Sequence, residues 1–123
     1  MSTATLINFN DYQQWVGGEG FYPSKRGLGE PINIGGVTYC ALGLTGEAGE
    51  VSDKVKKIIR DHNSEITPEL RDGLIKELGD TLWYLSALAR ELDVTLSDVA
   101  QINIDKIEGR NARGTRRGSG DDR

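Results

Sequence analysis

Two acidic pairs at one spacing, Glu47 with Glu50 and Glu77 with Asp80, constrain this chain more than any other feature. Each pair sits inside an apolar helical pattern in the stretch Leu42 to Asp80. Residues three apart on an α-helix lie roughly 60° apart around its axis, so each pair can aim both carboxylates at one point. Two such helices packed side by side bring four carboxylates together. Four negative charges share a small, partly dry volume only if cations neutralise them or their pKa values rise, which makes a site for hard divalent ions the economical reading. All four ligands are oxygens, with no histidine at the ExxH position of di-iron bundles and no thiolate. Mg²⁺ or Mn²⁺ therefore fits better than iron or zinc.

The rest of the chain reads as helices around that stretch. A short helix starts near Asn8 or Asn10 and ends at Gly17-Gly18, with Tyr12, Trp15 and Val16 as its apolar stripe. From Glu19 to Gly36 the glycines and the prolines Pro23 and Pro31 indicate a long ordered loop, from which Lys25 and Arg26 could reach a phosphate or simply form a solvated turn. A second helix is expected from Val37 or Thr38 to about Asp61. Gly43, Gly46 and Gly49 interrupt it, each costing about 1 kcal/mol against alanine, which points to close approach by a neighbouring helix or a ligand. Val51, Val55, Ile58 and Ile59 follow on the core side. Lys54 can pair with Glu50 one turn earlier or serve a substrate.

Thr67-Pro68-Glu69 is a strong helix start, and the third helix is expected to run to about Leu92. Leu70, Leu74, Leu78, Leu82, Leu85 and Leu92 supply much of its buried stripe, with Glu77 and Asp80 at the edge. Trp83 and Tyr84 are core aromatics or stack on a nucleobase. Thr95 and Asp98 have capping-box spacing for a fourth helix to Gly109 or slightly beyond, with Val99, Ile102, Ile104 and Ile107 on its apolar side. Asn103, Lys106 and Arg110 form a polar, basic stripe on it. His62, the sole histidine, falls in a turn. The expected fold is all-α, a single helical domain over residues 1–113 with a flexible basic tail over 114–123.

Charge is uneven: five arginines face two aspartates from Arg110 onward, against ten basic and seventeen acidic residues before it. The net charge of -4 for the whole chain argues against general nucleic-acid binding, and an acidic body with a basic tail suits a metal site that takes a polyanionic substrate. The single cysteine, Cys40, makes no internal disulfide, no apolar run approaches the roughly 20 residues that span a bilayer, and the N-terminus lacks a signal-peptide pattern. A cytoplasmic location is expected.

The segments Gly43-Leu44-Thr45-Gly46-Glu47-Ala48-Gly49-Glu50-Val51 and Lys76-Glu77-Leu78-Gly79-Asp80-Thr81-Leu82-Trp83-Tyr84 resemble the ExxE and ExxD signature of MazG-like nucleotide pyrophosphohydrolases, in the all-α NTP pyrophosphatase superfamily. Similar short forms, including phage-encoded ones, end in comparable Gly/Asp/Arg tails. The resemblance covers roughly Thr38 to Arg113. It implies a four-helix-bundle-type fold completed between subunits of a homodimer or homotetramer. It also implies hydrolysis of a (d)NTP between the α and β phosphates to the monophosphate and pyrophosphate. On that carry-over Glu47, Glu50, Glu77 and Asp80 hold Mg²⁺ and act catalytically, while Lys106 and Arg110 face substrate phosphates, with Lys54, Trp83 and Asn103 as further substrate-binding candidates. Trp15, Phe21, Tyr22 and Tyr39 join Trp83 as candidates for a base pocket. The runner-up within the enzyme class is hydrolysis of a (p)ppGpp-type alarmone. The other-class reading is a non-catalytic helical module in which the acids are structural and the arginine tail docks on nucleic acid or an acidic partner, which would make its stability metal-independent and its binding salt-sensitive.

Overall fold

The computed structural model describes residues 7–114, and all of the tail beyond Gly114 lies outside them. Four helices and no strands make up the described chain: α1 over Phe9–Glu19, α2 over Ile34–Asp61, α3 over Pro68–Glu91 and α4 over Leu96–Arg113. Their starts are set by side-chain caps. Asn8, Asn33 and Thr67 each accept a hydrogen bond from a backbone N–H of the first turn, and Thr95 and Asp98 close a reciprocal capping box. Two boundaries differ from the sequence reading. Helix α1 continues through Gly17-Gly18 to Glu19, because Lys25 Nζ donates to the carbonyl oxygens of Gly17 and Gly20 at 2.5 Å each and satisfies that end. Helix α2 begins three residues before Val37, because the Asn33 side chain caps it by accepting from the Gly36 N–H and so carries the helix through two glycines. Helix α4 runs on to Arg113, where Gly114 takes the left-handed conformation that glycine adopts without strain.

Helices α2 and α3 form an antiparallel hairpin. Its register can be read from four pairs: Gly36 meets Glu91, Gly43 meets Tyr84, Glu47 approaches Asp80, and Lys54 pairs with Glu77. Helix α1 lies across α3, and α4 packs on α1 and α3 but has no packing contact with α2. The buried centre is Val16, Tyr22, Cys40 and Ala87, with Tyr12, Trp83 and Leu88 against it. Gln13 fastens α1 to the α3–α4 turn: its amide nitrogen donates to Val94 O at 2.9 Å and Ser86 O at 3.4 Å, and its oxygen accepts from Leu96 N at 3.2 Å.

The loop between α1 and α2 is held by one carboxylate. Glu91 is 0% exposed, and its Oε2 accepts from the Tyr22 hydroxyl at 2.8 Å and from Arg90 Nη1 at 3.1 Å. The Arg26 N–H reaches both Glu91 oxygens, at 3.1 and 3.2 Å. Arg26 is itself 2% exposed, donating to Glu30 O and Arg90 O at 2.8 Å each and to Asp93 Oδ1 at 3.0 Å. Lys25 and Arg26 therefore cap and pin the loop rather than extend toward a phosphate. A Cβ at Gly36 would collide with Glu91 Oε1, so glycine lets α2 pass over this network.

The expected leucine stripe is covered only in part. Leu70, Leu74 and Leu82 are half-buried, whereas Leu78, Leu85 and Leu92 are exposed. The same holds on α2, where Ile58 is buried but Val55 and Ile59 are exposed, and on α4, where only Ile107 of the expected four is half-buried. The pattern is helical as read, but one chain has too few helices to cover it. Among the described residues no helix is long and apolar enough to cross a membrane.

Candidate metal centre

Three of the four acidic residues converge. Glu47 from α2 and Glu77 and Asp80 from α3 each offer a carboxylate oxygen, and these atoms all lie within 4.8 Å of one another. The i,i+3 spacing puts Glu77 and Asp80 on one face of α3, and the antiparallel register slides Glu47 opposite them. Glu47 and Glu77 are half-buried and Asp80 is exposed, so the cluster sits at the mouth of the helix pair. Glu50, one turn further along α2, is exposed and stays outside this group, yet it adds to the field on Glu47.

Mutual repulsion shows in the electrostatics. The Glu47 carboxyl is pushed above its ordinary value by partial burial first, then by the charges of Asp80, Glu77 and Glu50. A group of oxygens that resist sharing a volume while ionised is the donor set a hard divalent cation relieves. One cation is already close: Lys54 Nζ lies 3.6 Å from Glu77 Oε1, so Lys54 pairs across to α3 and not with Glu50 on its own helix.

Two phenols border the cluster, and the sequence reading gave neither a place there. Tyr84 follows Asp80 by one turn, and its ring lies against the bare backbone of Gly43, one turn before Glu47. Its hydroxyl pKa is raised by burial first, then by Tyr39 and Glu47. Tyr12 of α1 is raised likewise, by burial and then by Asp80. The i+4 spacing from Asp80 to Tyr84 was the available signal; nothing local marks Tyr12, which arrives by tertiary packing. Trp83 turns the other way, edge-on to Tyr22 with ring centroids 6.4 Å apart and to Tyr84 at 5.0 Å. Tyr39 stacks on Tyr22 at 6.0 Å. Trp15 and Phe21 are exposed.

The α4 residues stand apart from α2. Asn103 is exposed, Lys106 half-buried and Arg110 buried, all on a helix with no packing contact to the one that carries Glu47. His62 is the C-cap of α2 and lies outside the carboxylate group.

Of the three interrupting glycines, only Gly43 has a close neighbour within the described chain. A Cβ there would collide with the Tyr84 ring, while a Cβ at Gly46 or Gly49 would meet nothing within 4 Å. Gly43→Ala should therefore displace Tyr84: overpacking costs about 1–3 kcal/mol, and the gain in helix propensity offsets about 1 kcal/mol of it. Thermal unfolding should show a net loss and near-ultraviolet circular dichroism a changed aromatic signal; a more stable variant with an unchanged spectrum would contradict the packing.

A family model described as the MazG nucleotide pyrophosphohydrolase domain matches residues 37–114. The Gene 37 protein of Mycobacterium phage L5 is 48% identical over 112 residues, covering 91% of this chain and 96% of that protein. Solved structures gave no significant match. With the acidic pairs of the motif brought onto facing helices of an all-α fold, and with the family model spanning α2 to α4, the chain belongs to the MazG nucleotide pyrophosphohydrolase family.

Proposed function

We propose that this protein is a Mg²⁺-dependent pyrophosphohydrolase that cleaves a (d)NTP between its α and β phosphates, releasing the monophosphate and pyrophosphate. The observation that carries the reading is the convergence of Glu47, Glu77 and Asp80 from two helices onto one volume. These three would hold Mg²⁺, with Mn²⁺ as a substitute; such an ion orients substrate oxygens and neutralises their charge. Hydrolysis forms one bond from a water oxygen to phosphorus and breaks one bond from phosphorus to the bridging oxygen, which leaves with its electrons. Glu50, one turn from Glu47, would either complete the ion's ligands or accept the proton that water loses. Tyr84 and Tyr12, protonated at neutral pH as phenols are and held further from ionisation by burial and by the neighbouring acids, can donate to substrate oxygens.

The exposed apolar residues of α2, α3 and α4 support assembly into a homodimer or homotetramer. In such an assembly Lys106 and Arg110 would meet substrate phosphates across subunits, and the open backbone at Gly46 and Gly49 would accept a neighbour. Chromatography of products from each common NTP and dNTP, with and without Mg²⁺, tests the reaction. Monophosphate plus pyrophosphate, formed only with metal, is expected; diphosphate plus phosphate would mean the wrong bond, and no turnover would overturn the reading. Light scattering on the same preparation reads the assembly, and a single-chain mass would remove the subunit argument.

A further inference from the structure

A cavity of about 460 Å³ lies away from the carboxylates, between the C-terminal half of α1, the loop ahead of α2 and the turn that leads into α4. That volume is within the range of small-molecule pockets. Arg90 on its wall is ten residues along α3 from Asp80, about 15 Å at the helical rise. The established motif uses none of its residues.

The hydrogen-bonding capacity left in the wall is specific. Arg90 spends Nη1 on Glu91, and among the described residues no group accepts from its Nε or Nη2. Nε and Nη2 form one edge of the guanidinium with two parallel donors, and the side chain runs beside the bare Gly17, whose added Cβ would come within 3.1 Å of Nε. Arg26 Nη2 donates to both Arg90 O and Asp93 Oδ1, which holds Asp93 beside Arg90 and leaves Oδ2 without a partner among the described residues. Charges are already matched: Arg26 pairs with Asp93 at 3.0 Å, Arg90 with Glu91 at 3.1 Å, and Asp98 is tied into the α4 capping box. A ligand here needs no net charge, and the aspartates would repel a polyphosphate. Apolar cover is waiting in Leu28, 81% exposed at the rim, and in the open face of Gly18.

The matching chemistry is an uncharged planar ring with two adjacent acceptors on one edge and donors on another. Among nucleobases guanine has this pattern, O6 and N7 facing an arginine edge while its N–H groups face a carboxylate; adenine puts a donor beside N7 instead. We propose that this cavity is a second, metal-independent binding site for a guanine nucleoside, separate from the carboxylate cluster.

The test is a titration of nitrogen-15-labelled, metal-free full-length protein with guanosine, followed by amide shifts, with adenosine and sodium benzoate in parallel. Saturable shifts at Gly17, Gly18, Leu28 and Val94, with adenosine binding about tenfold or more weakly, are expected. Gly18→Leu places a side chain where a Cβ meets nothing within 4 Å, so it should fold normally and lose the guanosine response. Arg90→Lys keeps a charge for Glu91 but not the fork, and should lose the preference over adenosine. No saturable shift, equal response to adenosine or benzoate, or shifts centred on Glu47 and Tyr84 would each overturn the proposal. None of these readouts requires turnover, so the result stands apart from the proposed hydrolysis.

Discussion

Asp80→Asn should abolish Mg²⁺-dependent hydrolysis, by on the order of a hundred- to a thousandfold in kcat, while making the metal-free protein more stable. The two effects share a cause. Asp80 is one of three carboxylates within 4.8 Å and, after partial burial, its charge does most to raise the Glu47 pKa, so removing that charge weakens ion binding and relieves repulsion together. The sign with pH is fixed by linkage. A carboxyl whose folded pKa is raised binds its proton more tightly when folded, so it contributes stability below its ordinary unfolded value, lost as pH rises through the raised one. Wild-type protein without metal should therefore lose stability across that window, and Asp80→Asn should lose less and melt a few degrees higher at neutral pH. Thermal melts with and without Mg²⁺ read this directly. A variant that melts lower at pH 7 without metal would indicate a structural role for Asp80 instead.

Glu91→Ala should cost about 3–5 kcal/mol, a large part of the stability of a domain this size. The side chain is wholly buried and receives the Tyr22 hydroxyl, the Arg26 N–H and the Arg90 guanidinium, so truncation strands three donors and leaves the largely covered Arg90 cation without its carboxylate. Glu91→Gln keeps the shape but turns one acceptor into a donor facing donors, and should fall between the two. Urea unfolding of the three proteins checks the order; a Glu91→Ala variant within 1 kcal/mol of wild type would mean that the loop is held elsewhere.

Glu91 also marks where reading the sequence stops. Helix existence, the caps at Asn8, Thr67 and Thr95 and the acidic pairs were legible because each is a local rule about residues three or four apart. Two of the three partners of Glu91 are 65 and 69 positions away, and no local pattern distinguishes it from a solvated acid at a helix end. Tyr12 reaches Asp80 by the same long route. Helical periodicity names the apolar face but not what covers it, so Leu78 and Leu85 read as buried although this chain leaves them exposed. Glu50 shares its spacing with Glu77 and Asp80, but spacing fixes a face and not a depth, and only α3 delivers both acids of its pair to the cluster.

The way α1 is fastened has a consequence for the order of assembly. The α2–α3 hairpin closes through a short connection and carries Glu47, Glu77 and Asp80 by itself, whereas Gln13 bridges 81 and 83 positions of chain to reach Val94 and Leu96. Contacts with small sequence separation form at low entropic cost, and distant ones must wait for them. The carboxylates should thus be gathered in the folding nucleus, with α1 and its loop joining last and opening first. Native-state hydrogen exchange should show α1 amides released at a lower free energy than those of α2 and α3. In that order of events the acidic cluster comes together before the helix that brings Tyr12 to its edge.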